Sequence, residues 1–451
     1  MTRVWPGLTG FERLALTAYG VLLHVLQPLL RQKLRRRAQH EPQYGLNVAQ
    51  RFGQYADSSP EGGFVWLHAV SLGETRAAAL LLPALREAFP GMRLLLTHGT
   101  ATGWVQGRAL LEAGDVQAWL PWDTAQATRQ FLAHFKPSMG LLMETEVWPH
   151  LVQACRQADV PLCLLNARMS EKSCRRALRW PALSGPAYRG LSLVLAQSVP
   201  DAQRLLRLGC RDVRVVGNLK FDVVVSDQAR KQASLWRSGL GSRPVVMLAS
   251  TREGEEVLWL QALQSQPDRL EQLKALGVLW LLVPRHPQRF DEVNALLAQA
   301  ALLCERRSAW GDREPDAARM TSADVVLGDS LGEMQTYYLV SRMALLGGSF
   351  APLGGQNLIE AAACACPLVM GPHTFNFADA AALAVAQGAA WQMQDMQAAL
   401  DQVVLALTHP QSLEHAQKAA DQLLEKGRGA VSNHIQALRS TAVIKMNGSV
   451  A

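Results

Sequence analysis

Between residues 60 and 225, short runs of consecutive apolar residues alternate with longer stretches in which apolar residues recur at helical spacing. The runs are "FVWLHAV", "MRLLLTH", "MGLLME", "PLCLLN", "LSLVLAQ" and "VRVVGN". Unbroken apolar runs of this length mark strands buried on both faces, as in a parallel sheet covered by helices. Each of the first five leads into a turn and a helical pattern; the sixth runs into "LKFD" instead. In "SVPDAQRLLRLG", Ser198 serves as N-cap, a proline and an aspartate fall in the first turn, and Gly209 is the stop.

A second series follows: "PVVMLAS", "VLWLLVP", "ADVVLGD", "RMALLGG" and "CPLVMG". The stretch between the series, "VVVSDQARKQASLWRSGLGSRP", is more polar, has no clear strand, and reads as a linker around residues 225–240. The pattern predicts an α/β protein of two parallel-sheet domains of similar size, at 41–225 and 240–430. Ligands of such sheets bind at the carboxyl ends of the strands, so the site is expected in a central cleft that the two domains face. The end of the chain, "STAVIKMNGSVA", reads as a loose tail.

Residues 1–40 differ in kind. Leu14 to Leu30 contains no Asp, Glu, Lys or Arg, and is followed at once by Arg31, Lys33, Arg35, Arg36 and Arg37. The run is short for a full span and is interrupted by His24, Gln27 and Pro28. Charges that follow the apolar run, with no small-residue cleavage site after it, do not fit a signal peptide. An N-terminal membrane-anchor helix fits better, inserted in or lying on the bilayer, with its basic cluster held at an anionic cytoplasmic face. The other reading is an amphipathic helix packed on the body of the protein.

Charge and cysteine use narrow the picture further. The 451 residues carry a net charge of +7, with hydrophobic residues at 49% and charged residues at 18%, so the chain is globular. Eight Lys/Arg against three Asp/Glu in residues 1–60 place most of that charge at the N-terminus. The near-neutral remainder argues against nucleic acid as a partner. Seven cysteines, with no paired CxxC arrangement, read as thiols of a reducing compartment, and Cys364 and Cys366 lack the histidines a zinc site would need.

The predicted carboxyl ends collect polar residues. Ser71, Gly73 and Glu74 follow the first run, and Glu144 and Glu146 the third; then come Asn166 and Arg168, Asn218 and Lys220, Ser250 to Arg252, and Arg285 with His286. Any one could be a satisfied loop residue, and Glu74 alone could be no more than a partner for a helix dipole. Their recurrence at one edge points to a site. The sharpest stretch, "GGSFAPLGGQNLIEAAACACPLVMGP" from Gly347, places two glycine pairs and Asn357 before a small-residue helix containing Glu360. Glycines let backbone approach a ligand, and a helix N-terminus offers N–H groups to a phosphate. Glu360, three residues after Asn357, would face the same way and accept from ribose hydroxyls. The stretch is neither the dinucleotide nor the P-loop glycine motif. Pro83, inside the helix after Glu74, predicts a kink or an early end there.

Taken in order, "HAVSLGE", "METEVWP", "NARMS", "GNLKFD", "PRHPQRF", "GDSLGEM" and "GGSFAPLGGQNLIEAA" resemble the 3-deoxy-D-manno-octulosonic acid (Kdo) transferases of lipopolysaccharide biosynthesis. The resemblance runs to about residue 425. It implies the GT-B arrangement of two Rossmann-like domains, CMP-Kdo as donor, and the lipid A precursor lipid IVA as acceptor. It also implies Glu74 as the catalytic base, with Glu144 and Lys220 supporting the transition state. The CMP contacts it implies are Pro284, Arg285, Leu331, Gly332, Glu333, Asn357, Leu358, Ile359 and Glu360. "NLIE" departs from the "NPLE" of some relatives only within the spacer.

The chemistry is consistent with that assignment. A sugar leaving from phosphate develops positive charge at its anomeric carbon while the acceptor hydroxyl loses a proton, which a carboxylate can take. The departing phosphate needs cations such as Arg285 and Lys220. A nucleoside monophosphate leaves with less charge than a diphosphate, so neither a metal nor another cofactor is expected. The helix terminus should lower the pKa of Glu74 and Glu144 should raise it, a balance the residues alone leave open. Two further readings stay open: a UDP-sugar enzyme of the same fold, either a lipid glycosyltransferase or an epimerase, and a non-catalytic nucleotide-binding membrane scaffold.

Overall fold

A computed structural model describes residues 7–440 apart from 57 and 312. The tail predicted from residue 440 therefore lies, except for its first residue, outside the described residues. The chain divides into two compact units. One is built from the chain up to Asp222 and again from Arg428; the other is Val223–Gly427.

The first unit holds a seven-stranded sheet: β1 (Val65–His68), β2 (Leu94–His98), β3 (Val116–Trp119), β4 (Met139–Met143), β5 (Leu162–Ala167), β6 (Leu193–Ala196) and β7 (Val213–Val215). Their order is β3-β2-β1-β4-β5-β6-β7, and every pairing is parallel. Strand order reverses between β1 and β4, which makes that junction the topological switch point. Alternate residues of β1 enter opposite cores: Trp66 packs with Phe131, Leu95 and Leu164, while Leu67 packs with Leu81, Leu85 and Leu141. Such two-sided burial is what produces an unbroken apolar run in sequence.

The second unit repeats the plan with β8 (Val245–Thr251), β9 (Leu279–Pro284), β10 (Cys304–Arg306), β11 (Val325–Leu327), β12 (Met343–Leu346), β13 (Leu368–Met370) and β14 (Ala390–Gln392). The order is β10-β11-β9-β8-β12-β13-β14, again parallel throughout, with the reversal between β8 and β12. Trp259, Leu248, Leu282 and Val369 lie in one of its cores.

Three strands escape the hydrophobic pattern. β3, β10 and β14 read VQAW, CER and AWQ, and each is an edge strand. An edge is only partly covered, so its residues need not be apolar throughout.

The segment read as a linker around 225–240 is largely helix, Asp227–Leu240. Ser226 caps it by accepting from the Ala229 N–H, Gly241 ends it at φ +66°, and Ala229, Ala233, Trp236 and Leu240 are its buried stripe. The chain then leaves the second unit again at its far end. The helix Ala430–Ser440 lies against Leu72–Ala88 in the first unit, and the Asp222 carboxylate accepts from the N–H groups of Gly429 and Val431 at 2.6 and 2.5 Å. The helix Leu72–Ala88 does not end at Pro83 but continues five residues past it. The helix Val199–Arg207 does start at Ser198, whose hydroxyl accepts from the Asp201 N–H. All seven cysteines are free thiols, and all but half-buried Cys304 are buried.

The single anchor helix expected at the N-terminus is two helices, Gly10–Val25 and Gln27–Ala38, bent by 50° at a one-residue break beside Pro28. Among the described residues, no single helix is long and apolar enough to cross a membrane. Gly10–Val25 also has a docked face. Glu12 pairs with Arg189, the Tyr19 ring stacks on His150 at 5.6 Å, and a Cβ on Gly20 would stand 2.7 Å from His150 Nε2. Its opposite face is apolar and exposed: Phe11, Leu14, Val21, Leu22 and Val25.

Candidate active site

In the first unit the candidate residues surround the β1/β4 switch point. The turn after β1 is closed by a reciprocal cap. The Ser71 hydroxyl accepts from the Glu74 N–H at 3.4 Å and donates to Glu74 Oε1 at 3.2 Å, while the Val70 N–H donates to Glu74 Oε2 at 2.7 Å. This is a capping box in which the carboxylate reaches one residue further back than usual. Burial pushes the Glu74 carboxyl up to about 7, with the Glu144 and Glu146 charges adding to it and the Val70 N–H opposing. The balance that the residues alone leave open is thus decided by desolvation rather than by the helix terminus. A Cβ placed on neighbouring Gly73 would meet nothing closer than Ser71 Oγ at 3.9 Å, so the space beside Glu74 is open.

Glu144, just after β4, is held at φ +55°, its N–H donating to the Leu165 carbonyl. Its buried carboxylate accepts from Lys220 Nζ at 2.8 Å on Oε1 and lies 3.5 Å from Arg168 Nε on Oε2. Asn166, fully buried at φ +50°, supports this pair: its Oδ1 accepts from the Leu219 N–H at 3.0 Å, beside Lys220, and its own N–H donates to His434 Nε2 at 3.0 Å. His434 comes from the returning C-terminal helix and belongs to none of the motifs read in the sequence. Non-glycine residues at positive φ are uncommon and gather where surrounding structure over-determines them. Ser250, at the end of β8, is another of the eight described non-glycine residues at positive φ, at +57°.

In the second unit the corresponding switch point joins the ends of β8 and β12. Gly347 lets them close: a Cβ there would lie 2.2 Å from the Ser250 carbonyl oxygen. Pro284 ends β9 opposite Thr251, and the Arg285 N–H donates to the Thr251 carbonyl. Arg285 Nε donates to Gln356 Oε1 at 3.3 Å, which brings the "PR" and "QN" segments together. Leu331 is 74% exposed beside Gly332 at φ +85°. Glu333 behaves differently from a free ligand contact, because its carboxylate accepts from Arg307 at 2.6 Å, from Gln232 at 2.7 Å and from Ser330.

The last motif is built differently from the expected helical face. The helix after it is short, Ile359–Ala363, so Asn357 precedes its cap rather than sharing a helical face with Glu360. Asn357 Oδ1 accepts from the Ile359 N–H at 3.2 Å. The side chains of Leu358 and Ile359 are buried and present nothing to a ligand, while Asn357 and Glu360 remain half-exposed.

Two residues with no assigned role in the sequence organise this unit. Glu255 and Glu256, both wholly buried, open the helix Glu255–Ser265. Glu256 receives a bidentate pair from Arg289 at 2.9 and 3.0 Å and the Thr251 hydroxyl at 2.6 Å. The signal available in sequence is two adjacent acids directly after a strand-end turn, in "ASTREGEE". Among the described residues, no group of three or more His, Cys, Asp or Glu side chains is placed to hold a metal ion.

Two parallel sheets, each with polar residues gathered at its switch point, make up a GT-B-like α/β fold. Solved structures share this fold: a glycosyltransferase from Rickettsia africae (12% identity, TM-score 0.55, 85% of this chain and 99% of that one) and the UDP-GlcNAc 2-epimerase of Neisseria meningitidis (16%, 0.57, 84% and 100%). Residues 47–223 match the family model described as 3-deoxy-D-manno-octulosonic-acid transferase. Over 428 residues the chain is 44% identical to the 3-deoxy-D-manno-octulosonic acid transferase of Bordetella pertussis, covering 93% of this chain and 98% of that protein. The transferase of the same name from Haemophilus influenzae is 30% identical over 431 residues, covering 93% and 97%. The chain belongs to the Kdo transferase family: it is a glycosyltransferase of lipopolysaccharide biosynthesis.

Proposed function

We propose that this Kdo transferase takes Kdo from CMP-Kdo and places it on lipid IVA or a related lipid A precursor, by direct displacement with inversion and with Glu74 as base. The observation that carries the reading is the Glu74 carboxylate, fixed by Ser71 and the Val70 N–H beside the open space at Gly73 and poised at about 7. A base whose pKa lies near working pH combines a usable ionised fraction with real proton affinity. In the proposed step the acceptor hydroxyl gives its proton to Glu74 as its oxygen bonds to the anomeric carbon. The bond from that carbon to phosphate breaks, and CMP departs with the electron pair. Lys220, oriented by Glu144, counters the negative charge of the transition state.

The second unit binds the nucleotide, through Arg285 and the segments Leu331–Glu333 and Asn357–Glu360. Within those segments Leu358 and Ile359 contribute backbone only, and Glu333 shapes its turn through Arg307. Neither a metal nor another cofactor takes part. The exposed apolar stripe of Gly10–Val25 lies in the cytoplasmic leaflet of the inner membrane, with Lys33, Arg35 and Arg36 exposed on the next helix for anionic lipid.

Mass spectrometry of lipid IVA incubated with CMP-Kdo and detergent-solubilised protein, with and without EDTA, tests this. Kdo addition by wild type, unaffected by EDTA and lost in Glu74→Ala while CMP binding persists, is the expected result. Equal transfer by both proteins would remove Glu74 as base. Transfer only from a UDP-sugar would overturn the donor.

A further inference from the structure

Glu255 is 1% exposed, yet its carboxylate carries a charge that has to be compensated. Four backbone N–H groups do so. Oε2 accepts from Arg252 at 2.9 Å and Gly348 at 2.6 Å; Oε1 accepts from Phe350 at 3.1 Å and Ala351 at 3.3 Å. A carboxylate has about four lone-pair positions, so these bonds use its full accepting capacity. Glu255 therefore has nothing left with which to hold a ligand or move a proton.

What it does is join two loops. Arg252 follows β8, and Gly348 to Ala351 open the glycine-rich loop after β12, the two strands that meet at the second switch point. The consequences run along the chain. Gly348, at φ +72°, accepts through its carbonyl from the Gly355 N–H at 2.7 Å, closing the loop on itself. A Cβ on Gly348 would stand 3.2 Å from Gln356 Nε2, and Gln356 in turn accepts from Arg285. Asn357 is the next residue. The N–H groups gathered at Gly348, Phe350 and Ala351 resemble a backbone nest of the sort that binds anions, and here the chain's own carboxylate fills it. A donor phosphate must find its cation elsewhere.

We propose that Glu255 is a positioning residue for donor binding: it locks the glycine-rich loop in the form that presents Gln356, Asn357 and Arg285 to the nucleotide. This rests on the reading that the second unit binds CMP.

The test is CMP binding by calorimetry to the full chain, with steady-state kinetics in CMP-Kdo, for wild type, Glu255→Gln and Glu255→Asp. Glutamine keeps the shape but turns one acceptor into a donor that faces backbone N–H groups. Losing hydrogen bonds to a charged acceptor should weaken CMP binding and raise the donor KM by about tenfold or more. The kcat at saturating donor and the KM for the lipid acceptor should stay within about threefold. A folded Glu255→Gln protein with wild-type CMP affinity would overturn the proposal. So would a fall in kcat at unchanged donor KM, the mark of a smaller folded fraction. If the glutamine variant does not fold, the aspartate variant decides: it keeps the charge but is too short to reach all four donors, and unchanged affinity would overturn the proposal. Wild-type protein that transfers Kdo yet binds no CMP at the second unit would instead overturn the donor-site reading. Hydrogen exchange at the 348–351 amides would then test the brace alone, slowed exchange in wild type but not in Glu255→Gln supporting it and equal exchange refuting it.

Discussion

Lys220 Nζ lies 2.8 Å from Glu144 Oε1, an ion pair between the turn after β7 and the residue just after β4. The side chains are 18% and 9% exposed, so the pair is largely withdrawn from water and neither partner can be lost cheaply. Replacing Lys220 by Met should lower kcat by about 10²- to 10³-fold, the usual loss when one transition-state donor is removed. Both KM values should move far less. If the two residues act as a unit, Glu144→Gln combined with Lys220→Met should be no worse than the lysine change alone. Multiplicative losses in that cycle would show that Lys220 and Glu144 act separately.

Glu74 sets a pH dependence whose sign follows from its raised pKa. Its carboxyl is pushed up from 4.5 to about 7, by burial first and then by Glu144 and Glu146. The base works only when ionised, so kcat/KM should rise with pH through about 7 and level off above it. Stability has the opposite slope. The unfolded chain loses this proton near 4.5 and the folded chain near 7, so the group's contribution, full below 4.5, is lost as pH rises through 7. Glu74→Gln should abolish the pH step in what activity is left. A rate profile flat between pH 5 and 8 would remove Glu74 as the titrating base.

How much of this is legible in the sequence depends on burial. The strands of both sheet centres are visible because both their faces are covered, and the polar positions beyond them follow from the rule that sites form at carboxyl ends. The edge strands VQAW, CER and AWQ escape for the converse reason, that an edge needs no unbroken apolar run. The helix at 227–240 carries its own signals, a serine cap and apolar residues at 229, 233, 236 and 240, outweighed by its many polar positions. The roles of Glu255 and His434 are hidden because their decisive partners are distant in sequence: Gly348 lies 93 residues from Glu255, and Asn166 lies 268 from His434; for Glu256 the sequence shows an acidic pair after a strand-end turn, but not the Arg289 that it binds. The positions of Leu358 and Ile359 show the limit of carrying a motif over whole, since a short helix turns those two side chains into the core.

Gly73 offers a test of the space beside Glu74. A methyl group at that position would meet nothing closer than Ser71 Oγ at 3.9 Å, and alanine is the better helix former. Gly73→Ala should therefore leave stability unchanged or raise it by up to about 1 kcal/mol. Gly73→Leu would push into the same open space. It should raise the acceptor KM while leaving CMP affinity intact, because only the first unit is altered. An unchanged acceptor KM for the leucine variant would mean that the acceptor does not pass Gly73.

Arg289 and Glu256 supply the corresponding stability prediction for the second unit. Glu256 is fully buried, and its partners are Arg289 and the Thr251 hydroxyl. Arg289→Ala strands that charge and should destabilise the unit by about 3 to 5 kcal/mol in thermal or denaturant unfolding. Arg289→Ala combined with Glu256→Gln should recover part of the loss, since the orphaned charge is then gone. A loss below about 1 kcal/mol in the single variant would mean that water or a rotated side chain reaches Glu256.

The N-terminal helix separates two kinds of apolar residue that hydropathy alone cannot. Leu16 and Tyr19 lie on the face docked against Pro149, His150 and the helix Pro181–Arg189, whereas Phe11, Leu14, Val21, Leu22 and Val25 are 55–72% exposed on the other. Removing the second set should therefore cost little stability, because exposed side chains lose almost no buried area. It should cost membrane affinity instead. Changing Phe11, Leu14 and Leu22 to Ser should leave the unfolding free energy within about 0.5 kcal/mol of wild type and abolish flotation with anionic vesicles. Transfer to a short-chain, detergent-soluble acceptor should persist, since the stripe is remote in role from Glu74 and Lys220. Leu16→Ser and Tyr19→Ser should do the reverse, lowering stability first and vesicle binding only as the helix undocks. Vesicle binding unchanged by loss of the exposed stripe would assign membrane contact to the basic residues 31–37 alone. Recovery of binding by Leu or Phe at those three positions, but not by Lys, would show that the contact is hydrophobic insertion rather than charge attraction.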